Sequence, residues 1–485
     1  MALFLLKLFL LLAINLNCFK KHKQQLILYS FIYQINNQSI NQIIMKYIYV
    51  LALFCINLIH AQDTAVTNWI NKNAIVIEDA NQDTPLTNFK AKGSDIFKGV
   101  KLFGFGEATH FTKEFFDLKV KFFKYLAENE GVTLFMMEDV YNNFYEINNF
   151  IKGGEGDVRE ITGNFGFALW RNEEVMGLVQ WMRNFNRGKP ADKQVKFYSI
   201  DCQTGTNTNI NLKRFITNYK IITQEGISTV LDSCSAISIF SKSKDEAKLK
   251  GYLQQLQTLQ NDIEENFKPE NQDQENDLND ALYTLNILNQ FTGFVLQTTQ
   301  QYRDKCMADN VQWILQHNGP AAKGFIWAHN SHVSKEDTKY KRLGMHLKNT
   351  FGNAYYSVGF SYAQGKLYGV NVNDKKEVVG VVYNVVNPEK KTPEAFLNQA
   401  EAPLFFIDFK QAAQNTAMNS FLNAKLKCMD TGANGFNPKW WGVKAKLADM
   451  YDGLIFVKEV SLPHYIQGRV RETMQNPVEK ILVTR

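Results

Sequence analysis

Apolar residues along the chain fall into short, nearly continuous runs, separated by longer stretches in which they recur at helical spacing. Short apolar runs bounded by turn residues are typical of strands covered on both faces, as in a parallel sheet. The predicted strands are "VKLFGFG" (100–106), "VTLFMME" (132–138), "VKFYSID" (195–201), "GFIWAHN" (324–330), "AYYSVGFSY" (354–362), "PLFFIDF" (403–409) and "GLIFVKEV" (453–460). An amphipathic stretch (114–131) separates the first two, in the order of a β-α-β unit. The pattern predicts an α/β protein with a central, mostly parallel sheet flanked by helices.

Between about residues 207 and 316 the apolar positions form helical stripes. The polar stretch "KPENQDQEND" (268–277) separates two of these stripes. Their apolar members are Leu253, Leu256, Ile263 and Phe267, and then Leu278, Leu282, Leu285, Leu288 and Val295. We interpret 207–316 as an inserted helical subdomain of two or more long antiparallel helices. It would divide the α/β core into a first part (62–206) and a second part (317–485).

Residues 1–61 have the character of an N-terminal extension that ends in a signal peptide. "MKYIYVLALFCINLIHAQ" begins at Met45, has Lys46 as a short basic region, continues apolar to Ile59 and reaches a small residue just before Gln62. We therefore expect Met45 to be the true start and the mature protein to be periplasmic or secreted, with no stable membrane anchoring after cleavage. The alternative is an uncleaved signal anchor, although the apolar run is shorter than the ~20 residues that a membrane span needs.

The net charge argues against nucleic acid as a partner. The formal charge is +6, but residues 1–61 carry five lysines and no acidic residue, which leaves 49 basic residues against 48 acidic ones. No basic field remains that would attract nucleic acid or an anionic membrane. We expect a small-molecule partner, and the sequence gives no oligomeric state.

Four cysteines follow the predicted leader: Cys202, Cys234, Cys306 and Cys428. They are widely spaced and form no CxxC pair. Export would permit a disulfide, but the spacing does not tell which cysteines would pair.

Acidic residues and histidines follow four of the predicted strands where these strands end. They are Glu107 and His110 after the first strand, Glu138 at the end of the second, Asp201 at the end of the third, and His329 and His332 at the fourth. The carboxyl ends of parallel strands meet at one edge of a sheet, where open α/β folds bind their ligands. Any one of these residues, Asp201 for example, has an alternative role as a turn or cap residue. Because buried carboxylates are costly unless they are paired, the joint pattern predicts a functional site.

Several blocks of the chain, in order, resemble the erythromycin esterase family. They are "GEATHFTKEFFDLKVKFFKYL", "FMMED", "WRNEEVMGLVQWMRNFN", "FYSIDCQ", "RDKCMADNVQWIL" and "WAHNSHVSK". The resemblance spans about residues 95 to 460. It implies an α/β core with a helical subdomain, and hydrolytic opening of a macrolide lactone, an antibiotic-resistance activity, without a covalent enzyme intermediate and without a cofactor.

The resemblance also implies roles for single residues. His110 stands at the position of the essential base, and Glu107, Glu138, His329 and His332 match other functional positions. Lys119 and Phe111 depart from the family pattern, which often has Arg at the first position and usually Gly at the second. Lysine offers a point charge where arginine offers a planar fork, and the phenylalanine ring could reshape the pocket mouth. We expect Lys119, Phe111 and Asp201 to contact the substrate.

Ester hydrolysis needs a water molecule made nucleophilic near neutral pH and donors for the oxyanion. Our hypothesis is that His110 takes the proton of the water, because the pKa of imidazole lies near working pH. Glu107 or Glu138 would orient its ring. His332, with His329 and Lys119 as second choices, would donate to the oxyanion or to the leaving alkoxide.

Two other classes stay open at this stage. Glu107, His110, Glu138, His329 and His332 are also a possible zinc or manganese ligand set, although no HExxH pattern is present and we expect no metal. A non-catalytic small-molecule binding protein is the second alternative, which Phe111 favours. A serine hydrolase is not favoured, because no GxSxG sequence occurs.

Overall fold

The central sheet of the protein, seen in a computed structural model, is assembled from strands that span the chain. The structure describes residues 64–141, 143–239, 245–372, 378–431, 442–470, 474 and 477–482. The predicted leader lies outside these residues. From Val66 onward the chain forms one compact unit. Among the described helices, none has the length and apolar character that crossing a bilayer requires.

Among the described residues, ten strands form one sheet, and β9 and β10 form a separate antiparallel pair. The strands are β1 (Ile75–Val76), β2 (Leu102–Phe105), β3 (Leu134–Val140), β4 (Lys196–Asp201), β5 (Gly324–Trp327), β6 (Tyr355–Val372), β7 (Val378–Val385), β8 (Leu404–Asp408), β9 (Leu426–Cys428), β10 (Val443–Ala445), β11 (Gly453–Val460) and β12 (Val478–Leu482). The order in the large sheet is β1-β8-β11-β6-β2-β5-β3-β4, with β7 paired to the second half of β6 and β12 paired to β7.

The six strands from β11 to β4 are parallel to one another. Strand β8 is antiparallel to β11, β1 is antiparallel to β8, and β7 is antiparallel to β6. This mostly parallel sheet confirms the predicted α/β class. Each predicted strand is present, but β6 continues well beyond residue 362.

Helices cover the sheet and fill the segment between β4 and β5. They are α1 (Thr87–Lys92), α2 (Lys113–Asn129), α3 (Phe144–Ile151), α4 (Val158–Gly163), α5 (Glu173–Asn186), α6 (Thr208–Asn218), α7 (Ile227–Ser235), α8 (Glu246–Asn266), α9 (Gln272–Gln297), α10 (Gln300–His317), α11 (Asn330–Val333), α12 (Leu343–Phe351), α13 (Pro393–Leu397), α14 (Phe409–Ala412), α15 (Thr416–Asn423) and α16 (Leu447–Met450). Residues 64–73 are also helical, and short 3₁₀ helices occupy Ala168–Trp170, Ala191–Lys193 and Gly352–Ala354.

The two faces of the sheet bury different side chains because successive strand residues point to opposite sides. Phe103 and Phe105 of β2 belong to one apolar core, which also contains the apolar face of α2. Leu102 belongs to a second core on the other face, together with Met307 and Val311 of α10. The helices of the sheet layer are therefore fixed by burial on both faces.

The inserted segment has a core of its own. Helices α6 to α9 share a third apolar cluster that includes Leu212, Leu231, Leu256 and Leu288. The long helices α8 and α9 contain the two predicted stripes, and the turn between them contains Pro269. Helix α10 packs against the sheet instead. The boundaries of a separate subdomain stay a prediction.

Candidate active site

A glycine brings two turns together at the carboxyl edge of the sheet. Gly106 ends the β2 segment, and a Cβ atom there would lie 3.0 Å from the Cα of Asn330 and closer still to its side-chain oxygen. The side chain of Asn330 bonds the backbone carbonyl and N–H groups of Phe360 in β6 (2.8 and 3.0 Å). The backbone N–H of Asn330 donates to the backbone carbonyl of Glu107 (3.0 Å). The turn with Glu107 and the turn that begins α11 are thus held against each other by backbone hydrogen bonds.

Glu107 is fully buried and has two cationic or basic neighbours. The Nδ1–H group of His110 donates to its Oε1 (2.5 Å), and the ammonium group of Lys119, from α2, forms an ion pair with its Oε2. Burial lowers the pKa of Lys119 to about 8, although Glu107 counteracts this effect. The ammonium group also lies 4.4 Å from the centre of the Trp327 ring, so Lys119 is held between a carboxylate and an aromatic face.

The hydrogen bond to Glu107 fixes the orientation of the His110 ring. With Nδ1 donating, the proton-accepting lone pair is on Nε2. Within the described part of the chain, Nε2 makes no hydrogen bond. His110 keeps 6% of its surface exposed, and the rings of His329 and Trp170 lie 4.7 and 6.1 Å from its ring centre. Its free nitrogen is therefore available as a base in a confined space.

An irregularity in β3 places Glu138 at the site. The register with β4 shifts between Met137 and Val140, so an extra residue is accommodated at the end of the strand. Such bulges re-aim side chains beside functional sites. The Glu138 carboxylate accepts hydrogen bonds from the His329 amide (2.8 Å) and from the guanidinium of Arg303 (2.7 Å). Burial alone would raise the pKa of Glu138, but the charges of His332 and Arg303 hold it well below its ordinary value.

Asp201, at the end of β4, is paired with an arginine. It is fully buried, and its two oxygens lie 3.1 Å from Nε of Arg303, with a further bond of 2.5 Å to Nη2. The carboxylates of Asp201 and Glu138 raise the pKa of Arg303 above its ordinary value despite burial. The Asp201 side chain therefore anchors the guanidinium that contacts Glu138.

His332 lies between two carboxylates. Its Nδ1 donates to Asp304 (2.6 Å), and its Nε2 lies 3.2 Å from Oε1 of Glu138. Asp304 is held in turn by Arg342 (3.1 Å). Burial opposes the charge of His332, but Asp304 and Glu138 raise its pKa to about 9. His332 is then an imidazolium at neutral pH, and Nη1 of Arg303, 3.1 Å from Nε2, is a like-charged neighbour instead of a hydrogen-bond donor.

His329 is a neutral imidazole whose two nitrogens are already engaged. Nδ1 accepts a bond from the Ser331 amide (3.2 Å), so that His329 caps α11, and Nε2 donates to the carbonyl of Thr431 (2.7 Å). Burial, and then the neighbouring His110, lower its pKa well below the ordinary value. His329 is therefore less suited to proton transfer than His110 or His332.

Three polar residues of this cluster were not predicted as functional from the sequence. Arg303 and Asp304 lie at the beginning of α10, inside the block "RDKCMADNVQWIL"; two adjacent charged residues on a helix that packs against the sheet were the available signal. Asp430 follows the short strand β9, and no pattern marks it. Its Oδ1 lies 3.2 Å from Nε2 of His329 but makes no hydrogen bond, and burial raises its pKa to about 7.

Phe111 turns its ring toward β6. Its ring centre lies 4.7 Å from that of Tyr368 and 6.5 Å from that of His110, and only 6% of its surface is exposed. The structure thus brings Glu107, His110, Lys119, Glu138, Asp201, His329 and His332 into one contiguous buried network, with Phe111 at its border. Whether these residues act on a substrate stays a prediction.

The part of the chain that the structure describes contains no preformed set of metal ligands. No three His, Cys, Asp or Glu side chains there are grouped as a metal ion would require.

Two surface recesses, of about 260 and 110 Å³, are lined by residues outside the buried network. Lys113 and His464 line the first, and Tyr141 and Arg214 line the second.

Fold and site together define an α/β protein with a buried acid–base centre at the carboxyl edge of its sheet. The sequence matches the model of the erythromycin esterase family over residues 127–460, most of the chain, and the protein belongs to that family. The match begins after Glu107, His110 and Lys119, so the structure and not this match connects these three residues to the rest of the site.

Similar proteins agree with this assignment. The chain is 22% identical over 431 residues to "Putative hydrolase YbfO" of Bacillus subtilis (strain 168), covering 81% of this chain and 91% of that protein. It is 25% identical over 329 residues to "Erythromycin esterase type II" of Escherichia coli, covering 61% and 77%. A solved structure of a mutant of the erythromycin esterase EreC in its open conformation superposes with a TM-score of 0.56 at 16% identity, covering 80% of this chain and 97% of that one. Family and relatives support hydrolase activity, and the structural match confirms the fold.

Proposed function

We propose that the protein is a carboxylic ester hydrolase that opens a lactone, a macrolide or a related ester, by direct attack of water. One observation carries the proposal: Nδ1 of His110 is held by Glu107 at 2.5 Å while Nε2 makes no hydrogen bond among the described residues. A buried carboxylate that orients an imidazole and stabilises its protonated form is the arrangement of a general base.

The base acts first. His110 takes a proton from water through Nε2, and the resulting hydroxide attacks the ester carbonyl. Glu107 stabilises the imidazolium, and Lys119 forms an ion pair with the other oxygen of the Glu107 carboxylate. Of the two candidate partners of His110, Glu107 is therefore the one we assign. No nucleophilic side chain bonds to the substrate in this scheme, so no acyl-enzyme forms.

We assign stabilisation of the oxyanion and protonation of the leaving group to His332. It is the histidine whose surroundings keep it positively charged at neutral pH, and a charged donor stabilises an oxyanion or protonates a leaving alkoxide. Asp304 holds its Nδ1, and Glu138 lies beside its Nε2. His329 would serve as a rigid wall beside His110, because burial lowers its pKa and leaves it without a positive charge.

The experiment is incubation of the purified protein with erythromycin and a panel of simpler lactones and esters, followed by mass spectrometry. The proposal predicts, on at least one member, a lactone product heavier by one water or an acid and an alcohol that together equal an ester plus one water. It also predicts retention of activity after exhaustive chelation. Loss of activity on chelation with rescue by zinc or manganese would establish the metal-dependent alternative. Calorimetric binding with no product on any member would establish a binding protein and refute the hydrolase proposal.

A further inference from the structure

Two cysteines meet where β4 and α10 come together. Cys202 directly follows Asp201, and Cys306 lies one helical turn after Arg303. Both are buried, and they share a small apolar cluster with Phe294. The adjacent ion pair between Asp201 and Arg303 already holds the two segments in a fixed register.

The two side chains are neighbours within this buried cluster. The proximity of Cys306, together with burial, raises the pKa of Cys202 well above its ordinary value. The other two described cysteines lie elsewhere: Cys234 is part of the core of the inserted helices, and Cys428 is part of a core next to the sheet. Among the four described cysteines, all of them free thiols in this structure, Cys202 and Cys306 are the pair that share a cluster.

We propose that Cys202 and Cys306 form a disulfide when the chain folds under oxidising conditions. The S–S bond forms by thiol–disulfide exchange: two S–H bonds are lost, and their two protons and two electrons convert an external disulfide to two thiols. Glutathione disulfide or a protein disulfide oxidoreductase supplies that oxidant. The bond closes a loop that contains helices α6 to α9 and ties α10 to β4 beside Arg303.

Burial of the two thiols also determines the stage of folding at which the disulfide forms. A raised pKa leaves little thiolate in the folded, reduced protein, and the thiolate is the reacting species. Oxidation is therefore fast during refolding and slow once the segments have packed. Closing a long loop restricts the unfolded chain, which stabilises the folded state relative to it.

The test uses the full chain, unfolded and reduced, then refolded in a buffer of reduced and oxidised glutathione. Free thiols are alkylated, the protein is digested without reduction, and the peptides are identified by mass spectrometry. We expect a linked peptide pair containing Cys202 and Cys306, lighter by two hydrogen atoms than the separate peptides, with Cys234 and Cys428 alkylated. The oxidised protein should have a higher Tm than the reduced one.

Matched variants separate this bond from general oxidation. Cys306→Ser should leave Cys202 alkylated and abolish the difference in Tm between oxidising and reducing buffer, whereas Cys234→Ser should keep both the link and the difference. Alkylation of Cys202 and Cys306 in the refolded wild-type protein, or linkage of either to another cysteine, would overturn the inference. The peptide map requires no hydrolase activity, so it is independent of the proposed function.

Discussion

At the scale of single residues, the site depends on which nitrogen of His110 is free. Nδ1 of His110 donates to one carboxylate oxygen of Glu107. The ammonium group of Lys119 pairs with the other oxygen and compensates the negative charge. The sequence indicated this turn, since glutamate and histidine three residues apart are unusual after a buried strand, but it left open whether Glu107 or Glu138 is the partner. Only the three-dimensional arrangement shows that Glu138 is already bonded to Arg303 and to the His329 amide.

The first prediction concerns His110. Base assistance is typically worth about 10²- to 10⁴-fold, so His110→Ala should lower kcat/KM on the identified ester by at least about 100-fold. The side chain makes one hydrogen bond and lies at the border of the buried network, so Tm should change little. Steady-state kinetics and thermal unfolding measure both effects. His317→Ala, at an exposed histidine stacked on Trp313, is the matched control; equal activity of the two variants would contradict the assigned base.

The second prediction concerns the ion pair between Glu107 and Lys119. Removing one partner of a buried pair leaves an uncompensated charge, at a cost of about 3–5 kcal/mol. Lys119→Met and Glu107→Gln should each lower the free energy of unfolding by roughly that amount, while the double variant should lose clearly less than the sum. Denaturant unfolding of the four proteins measures the coupling. Additive losses would show that the two groups do not interact.

At the scale of secondary-structure elements, the parallel strands could be predicted and the peripheral ones could not. Strands covered on both faces read as continuous apolar runs, as in β2 and β5. Strand β1 has two residues and is too short to leave a sequence pattern. The second half of β6 pairs with β7 in an antiparallel extension, which the sequence of the first half does not predict. The bulge of β3 that places Glu138 also has no sequence signature.

Helix α10 is the element that assembles the charged half of the site. Its first turn supplies Arg303 to β3 and β4, and Asp304 to α11. The sequence block that contains both residues was recognisable, but the carboxylate partners of Arg303 lie 102 and 165 residues upstream, and the histidine partner of Asp304 follows another strand. Pairings of this kind follow from the sheet order β5-β3-β4, which local patterns do not encode.

The third prediction is the pH dependence of the contact between α10 and α11. The pKa of His332 is raised from an ordinary 6.5 to about 9 by Asp304 and Glu138, against the effect of burial. The protonated His332 side chain therefore contributes to the free energy of unfolding fully below about pH 6.5, and this contribution is lost as the pH rises through about 9. A pKa shift of this size corresponds to ~3 kcal/mol of that free energy. Urea unfolding from pH 6 to 10 measures it.

The control for this effect is Asp304→Asn, which removes the charge that raises the pKa of His332. The variant should be less stable than the wild type at pH 6, and the difference should narrow toward pH 10. A difference in the free energy of unfolding between wild type and Asp304→Asn that stays constant from pH 6 to 10 would contradict the assignment of His332 as an imidazolium in the folded protein.

At the scale of the whole molecule, the fold and the family are fixed more firmly than the substrate. Relatives in two bacteria are only 22 and 25% identical to this chain, and a parallel sheet with its site at the carboxyl edge serves many reactions. At the border of the site, Phe111 packs against Tyr368 of β6. Substrate choice therefore has to be established by the ester panel and not by likeness.

The last prediction joins the leader to the cysteine pair. Expressed in a Gram-negative host from Met45, the protein should appear in the periplasm or medium, and its intact mass should correspond to a chain beginning at Gln62. Leu53→Arg, which places a charge in the apolar segment, should keep the protein inside the cell. Because the cytosol keeps thiols reduced, the exported protein should carry the bond between Cys202 and Cys306 and the retained variant should not. An uncleaved, membrane-bound product would establish the signal anchor instead, and an exported protein with both thiols free would separate export from disulfide formation.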